Sequence, residues 1–315
     1  MVAQPRPRAR RRALAQAWEQ VALPARAARL DARLVFSPAN LAPLAWPRNV
    51  LVMHDAAVLR EPEAYSRAYR AWHAGAGIAC ARRALGVITV SEFSRRELIE
   101  LAGLDPARLT VIPGGVDGRF SPEADPAPVA ARLGLSRPYV LTIATDDPRK
   151  NLAKLSPVAR ALAQDGIELV WAGDRRPYFA AAAQAVGVRS LGYVDDADLP
   201  GLYAGARAFV LASRYEGFGL TCLEAMACGT PVVAADRGAL PETCGDAALL
   251  VDPDDGDALT RAVVIAAGEA AARGALRAAG LRRAAGFSWE RTAGLVDALL
   301  SRLAAAAAPR SAVDR

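Results

Sequence analysis

A chain of 315 residues has room for two domains of ordinary size, and 53% hydrophobic residues beside 23% charged ones describe a globular protein able to bury real cores. No stretch reaches the length of a membrane span, the opening lacks the apolar run of a signal peptide, and two histidines, His54 and His73, are too few for a multi-histidine metal site. The formal net charge of +6 is uneven, with Arg6, Arg8, Arg10, Arg11 and Arg12 crowded into the first dozen residues. Such a cluster could serve as a nucleic-acid arm or as a peripheral contact with anionic lipid. No aromatic residue interleaves with it, which argues against nucleic acid and favours a solvated, disordered start over residues 1–12. Cys80, Cys222, Cys228 and Cys244 have no Cys-x-x-Cys spacing and read as reduced, buried thiols of a cytoplasmic protein.

In chain order, a helix is expected from Ala13 to about Leu30. Short apolar strands follow at Leu34–Phe36 and Val50–Met53, and His54-Asp55 closes the second. Ligands of open α/β sheets gather at such strand ends. A lone histidine there reads either as a hydrogen-bonded structural residue or as a ligand. A long helix is expected from Pro62 to Leu85, a strand at Gly86–Val90, and a helix to Leu101 with Ser91 and Ser94 both suited to cap it. A fourth strand, Leu109–Ile112, runs into Gly114-Gly115-Val116-Asp117. Ser121 to Pro128, with three prolines and alternating acids, reads as an interdomain linker.

Beyond it, strands at Tyr139–Ala144, Glu168–Ala172, Val188–Leu191, Ala208–Leu211, Val232–Ala235 and Ala248–Val251 alternate with helical segments, the pattern of a doubly wound parallel sheet. Pro157 sits inside the helix expected after Asn151, so that helix should kink or start late. The stretch from Trp289 to Leu303 is helical. Asp196-Ala197-Asp198 reads as a helix cap and Asp252-Pro253-Asp254 as a turn, neither as a metal site.

Chemistry concentrates between Ser213 and Thr230. A strand leads into Glu216-Gly217-Phe218-Gly219-Leu220, and a helix then carries Glu224, eight positions after Glu216. Unpaired backbone amides at Gly217 to Leu220 would make a partly positive socket for a diphosphate. A carboxylate on each side could accept hydroxyls, sugar at one end and ribose at the other. Two solvated glutamates on an ordinary helix are the simpler alternative. Of 39 basic side chains only Lys150 and Lys154 are lysines, and both follow the strand at Tyr139. A compact ammonium can approach two phosphates where a planar guanidinium does not fit. Lys154 reads as an exposed helical residue.

These phrases resemble the retaining glycosyltransferases of family 4. The Glu216-x7-Glu224 signature, the run Gly229-Thr230-Pro231-Val232-Val233-Ala234-Ala235-Asp236 and Pro241-Glu242 carry the likeness in the second half. His54-Asp55, Val90-Ser91-Glu92-Phe93-Ser94 and Gly115-Val116-Asp117 carry it in the first. The resemblance implies an α/β fold of the GT-B type, two Rossmann-like doubly wound parallel-sheet domains facing a cleft. The expected division is an acceptor-side domain over 1–122, a nucleotide-sugar domain over 129–288, and a helix and tail over 289–315 crossing back to the first domain. It further implies that His54 lies near the donor's sugar and phosphate, that Lys150 holds the donor phosphate with Arg149 beside it, and that the backbone at Tyr193 and Val194 bonds the nucleobase. Gly217, Phe218, Gly219 and Leu220 would hold the diphosphate, Glu224 the ribose and Glu216 the donor sugar, with His54, Glu216 and Lys150 as the catalytic set. No metal and no cofactor is implied.

Two departures stand out. About four strands are expected in the first domain where the fold has six or seven, so its opening units are expected to be missing. Ala144 stands where the family often has an arginine. The implied function is transfer of a mannose-like hexose from a nucleotide-sugar, GDP-mannose or a UDP-hexose, to a glycan or lipid-linked acceptor with retention, in polysaccharide or lipopolysaccharide synthesis. It would occur in the cytoplasm or at the inner face of the membrane. The alternative is a nucleotide-sugar-binding subunit or truncated paralogue without turnover.

Overall fold

The computed structural model describes residues 15–174, 178–179 and 185–307. The expected disorder of residues 1–12, the arginine cluster within them and the end of the expected tail lie outside the described residues. The first domain carries a parallel sheet in the order β1-β2-β3-β4, formed by Val35–Ser37 (β1), Asn49–Val52 (β2), Gly86–Thr89 (β3) and Leu109–Val111 (β4). The helices Leu23–Arg29 (α1), Ala57–Arg60 (α2), Arg67–Trp72 (α3), Ile78–Arg83 (α4) and Glu92–Ala102 (α5) surround it. Strands β2 and β3 are buried along their whole length, as a sheet covered on both faces requires. One face packs Leu51 and Val87 against Ala81 and Leu98 of the domain's own helices.

The helix expected from Pro62 to Leu85 is divided. A short 3-10 turn at Pro62–Ala64 ends before Ser66, whose hydroxyl accepts the amide of Tyr69 and starts α3 afresh. A π turn over His73–Gly77 then joins α3 to α4. The weak helix propensity of Gly75 and Gly77 makes that turn easy to unwind.

The second domain has a six-stranded parallel sheet in the order β10-β9-β8-β5-β6-β7. Its strands are Tyr139–Ile143 (β5), Glu168–Ala172 (β6), Arg189–Gly192 (β7), Ala208–Leu211 (β8), Val232–Ala235 (β9) and Ala248–Val251 (β10). The chain builds outward from β5 on one side, then returns to pair β8 with β5 and builds outward on the other. The reversal leaves a crevice at the C-terminal ends of β5 and β8, where an open α/β sheet binds its ligand. The helices are Ala127–Leu133 (α6), Leu155–Gln164 (α7), Leu199–Ala204 (α8), Leu220–Ala227 (α9), Leu240–Cys244 (α10), Gly256–Gly268 (α11) and Ala270–Ala284 (α12). Two buried clusters fill the two sides of this sheet, one around Leu141, Phe209 and Leu223, the other around Val140, Val210 and Val263.

The late start expected of the helix after Asn151 is observed: α7 begins at Leu155, so Pro157 falls in its first turn, where a missing N–H costs nothing. The expected linker is shorter than its prolines suggested. Pro126 is already the N-cap of α6, and Val129 lies in the second domain's core.

The chain crosses back to the first domain after Phe287. The amide of Val116 donates to the carbonyl of Phe287 (3.0 Å), and a Cβ on Gly115 would lie 2.2 Å from the backbone nitrogen of Trp289, so only glycine lets the two crossings touch. The helix Trp289–Ala306 (α13) then lays Leu299, Val296, Leu300 and Leu303 against Val50, Val52 and Ile88, covering the second face of the first domain's sheet.

Candidate active site

Two loops meet at the crevice. The first follows β5. Asp147, fully buried, accepts from the hydroxyl of Thr145 (2.7 Å), the amide of Arg149 (3.0 Å) and the Arg149 side chain (3.1 Å). That turn sets Lys150 on the crevice side, and its Nζ donates to Oε1 of Glu216 at 2.6 Å, with side-chain exposures of 16% and 15%. Glu216 lies within the loop after β8. Burial alone would push its carboxyl up, but the Lys150 ammonium, with Ser213 and Arg149 nearby, holds it below the ordinary carboxylate range. It is therefore ionised at neutral pH and ready to accept hydroxyls. A lysine ammonium has three donors, and one of them meets Glu216.

The loop continues through Gly217, Phe218 and Gly219 into α9. Gly219 has φ +96° and forms the N-cap, a conformation that strains a residue with a side chain. A Cβ on Gly217 would meet Cβ of Asp55 at 2.6 Å and the carbonyl of His54 at 3.1 Å. The first domain thus comes into direct contact with this loop, and His54, exposed at the end of β2, is placed beside it. The amide of His54 donates to Oδ1 of Asn40 (3.1 Å).

Glu224 lies one turn into α9. Its Oε2 accepts the hydroxyl of Tyr203 at 2.9 Å. Burial pushes its carboxyl up to about 7, with Asp196 adding to the rise and Tyr203 and Arg119 opposing it. The two carboxylates of the signature therefore differ in state: Glu216 is held charged, whereas Glu224 titrates near neutrality. A cavity of about 300 Å³ opens between the ends of β5, β6 and β7 and the start of α9, lined among others by Ala144, Lys150, Gly173, Tyr193, Val194 and Thr221.

The structure thus gathers Lys150, Glu216, Tyr193 and Val194 with the start of α9 around one crevice. Arg149 faces elsewhere. Its guanidinium lies over the rings of Tyr65 (5.1 Å) and Phe179 (5.3 Å) and lines a second cavity of about 200 Å³ bounded by Asp55, Tyr69 and His73. It joins the two domains. Lys154 is half-buried rather than exposed, and donates to the carbonyl of Asp254. Asp198 stands at the N-cap of α8 but makes no capping bond there, pairing with Arg132 of α6 instead. Asp252 closes a turn by accepting the amide of Asp254 (3.0 Å), and it pairs with Arg237.

Three features escaped the sequence reading. They are Tyr203 behind Glu224, Tyr215 whose hydroxyl accepts the amide of Ala56 across the domains (3.2 Å), and Glu242, which reaches α5. Only Glu242 had a signal, as part of Pro241-Glu242.

Residues 2–120 match the family described as Glycosyltransferase Family 4, and residues 137–267 match that described as Glycosyl transferases group 1. The fold is of the GT-B class, and each half is similar to a family of glycosyltransferases. Within that class the chain is similar to O-antigen chain mannosyltransferase B of Escherichia coli, 38% identical over 217 residues that cover 65% of this chain and 57% of that protein. The serotype-specific mannosyltransferase WbdA of Escherichia coli is 29% identical over 291 residues, 87% of this chain and 35% of that protein. The chain spans about half the length of the curated relatives it matches. Among solved structures, sucrose-phosphate synthase from Thermosynechococcus elongatus superposes with a TM-score of 0.73 at 27% identity, covering 90% of this chain and 77% of that one.

Proposed function

We propose that the chain transfers a mannose-like hexose from a nucleotide-sugar, GDP-mannose or a UDP-hexose, to a glycan or lipid-linked acceptor with retention, in surface-polysaccharide synthesis. The observation that carries this reading is the Lys150–Glu216 pair at the switch point of the sheet, facing the start of α9 across a cavity. The mannosyltransferase relatives favour mannose as the sugar.

In this reading the diphosphate lies over the amides of Gly217 to Leu220, where the helix dipole favours an anion. Lys150 keeps one proton on Glu216 and turns the others to the phosphates. The backbone at Tyr193 and Val194 bonds the base, and Glu224 accepts the ribose hydroxyls. Glu216, held ionised, accepts donor-sugar hydroxyls and stabilises positive charge growing at the anomeric carbon, with His54 closing the sugar's other side. The bond from that carbon to the phosphate oxygen breaks as its bond to the acceptor oxygen forms on the same face. The acceptor's proton passes to the leaving phosphate oxygen. Lys150 and the start of α9 neutralise that leaving group, so the step requires no metal. A lipid-linked acceptor would bring the protein to the cytoplasmic face of a membrane.

The test is release of nucleoside diphosphate by the purified protein from GDP-mannose, UDP-glucose and UDP-galactose with a mannosylated acceptor. Transfer from one donor, with the product's anomeric configuration retained, supports the reading. Binding of a donor with no transfer to any acceptor favours the non-catalytic alternative.

A further inference from the structure

We propose that Ser91 and Ser94 of the first domain are positioning residues that set the donor loop of the second domain, and that Glu242 clamps them there. The inference rests on Gly217–Leu220 holding the diphosphate.

Ser91 is the N-cap of α5. Its Oγ accepts the amide of Ser94 (3.0 Å) and donates to the carbonyl of Gly217 (2.7 Å) in the other domain. The hydroxyl of Ser94 donates to the same carbonyl (3.0 Å). Both serines are buried, and Ser94 takes no part in capping, contrary to the expectation that either would. A carbonyl oxygen has two lone pairs, and both are now filled from across the domain boundary.

A trans peptide is planar, so the amide of the next residue points opposite to the carbonyl. Fixing the Gly217 oxygen toward α5 therefore fixes the Phe218 N–H away from it, on the loop's other side. A glycine peptide without that anchor turns at little cost. Turned over, it would present an oxygen lone pair in place of an N–H, which is repulsive to a phosphate.

Glu242 closes the arrangement. Its Oε1 accepts the amide of Glu92 (2.8 Å) and its Oε2 that of Phe93 (3.0 Å). With Ser91 on the amide of Ser94, three of the orphan donors that begin α5 are satisfied, two of them only by the second domain. A carboxylate at a helix N-terminus also gains from the helix dipole. The backbone that carries Glu242 is held in turn by Arg283, which donates to the carbonyls of Glu242 (2.6 Å) and Thr243 (2.8 Å). Docking of the two domains and setting of the donor loop are thus one event. Through these serines the first domain contributes to diphosphate binding without touching the diphosphate.

The test is calorimetric binding of GDP, UDP and the matching nucleosides to the full chain, with thermal unfolding alongside. Losing a buried hydroxyl bond to the loop should weaken nucleoside diphosphate about tenfold in Ser94→Ala. Nucleoside affinity and Tm should stay near wild type, and Ser94→Thr, which keeps the hydroxyl, should recover most of the loss. Glu242→Gln provides a second variant outside α5 and should show the same selective loss. Equal weakening of nucleoside and diphosphate, or a fall in Tm with diphosphate affinity intact, would overturn the inference. If wild type binds neither nucleoside diphosphate, the donor reading itself fails, and the inference with it.

Discussion

The two domains reach similar architecture by different means. The second is self-sufficient: six strands, helices of its own on both faces, and a crevice where its strand order reverses. The first has four described strands, packs its own helices on one face and takes the cover of the other from α13, the last described helix. It borrows again at α5, where Glu242 of the second domain supplies two of the caps. The second domain covers both faces of its sheet with its own helices, and the domain beside it is completed by its partner. Docking is therefore built into the first domain's stability, and perturbations of the two halves should differ in kind.

The largest expected effect lies in the self-sufficient half. Lys150→Ala removes a charge facing the phosphate as negative charge grows on it, so kcat/KM should fall by about a hundredfold or more. Lys150→Arg should restore binding better than turnover, because its planar fork cannot keep the 2.6 Å contact with Glu216 and reach the phosphates in the same way. Steady-state kinetics on the three proteins read both.

Borrowed cover should fail differently. Leu299 is buried against Val50, Val52 and Ile88, and Leu299→Ala should cost about 2–5 kcal/mol of stability by denaturant unfolding. The loss should fall on the first domain, visible as an earlier first transition, while nucleotide affinity changes little. A single unchanged transition would remove the distinction between the halves.

Glu224 sharpens the contrast within the site. Glu224→Ala should weaken nucleotide binding roughly ten- to a hundredfold, the loss of one charged hydrogen-bond partner. Because its carboxyl is raised to about 7, the folded protein keeps a proton there that the unfolded chain has already released. That contribution to stability is present at acid pH and lost as pH rises through about 7. Binding has the opposite sign: ribose hydroxyls favour the carboxylate, so affinity should rise with pH and level off above about 7. Glu224→Gln should flatten the profile, and Tyr203→Phe should move its midpoint upward by removing the hydroxyl that favours the charged form.

The smallest effects are expected at two controls. Lys154→Ala should be close to neutral in kinetics, since that side chain turns to Asp254 and away from the crevice. Addition of EDTA should leave transfer unchanged, since Lys150 and α9 carry the leaving-group charge; loss of activity restored by Mn²⁺ or Mg²⁺ would contradict that.

The division of legibility follows the division of the molecule. Strands β8 and β9 begin and end where their apolar runs do, because strands buried on both faces read as such runs. Glu216, Gly217 to Leu220 and Glu224 were legible because one turn and one helix carry them all. What bridges the domains was not. Ser94 meets Gly217 at a distance of 123 positions in the chain, and Arg149 stacks on Tyr65 of the other domain. Neither pairing leaves a local pattern. The break at Ser66 was missed because the helical periodicity on either side runs through it, whereas the hydroxyl that restarts the helix acts locally.

The central claim is that the donor diphosphate lies between Lys150 and the start of α9. Calorimetric titration of wild type and Lys150→Ala with a nucleoside diphosphate and with its nucleoside tests it most directly. The account predicts that the variant loses about tenfold or more in affinity for the diphosphate and nothing for the nucleoside, since a charge-assisted contact is removed from one ligand only. Equal affinity of both proteins for the diphosphate, or equal loss for both ligands, would contradict it.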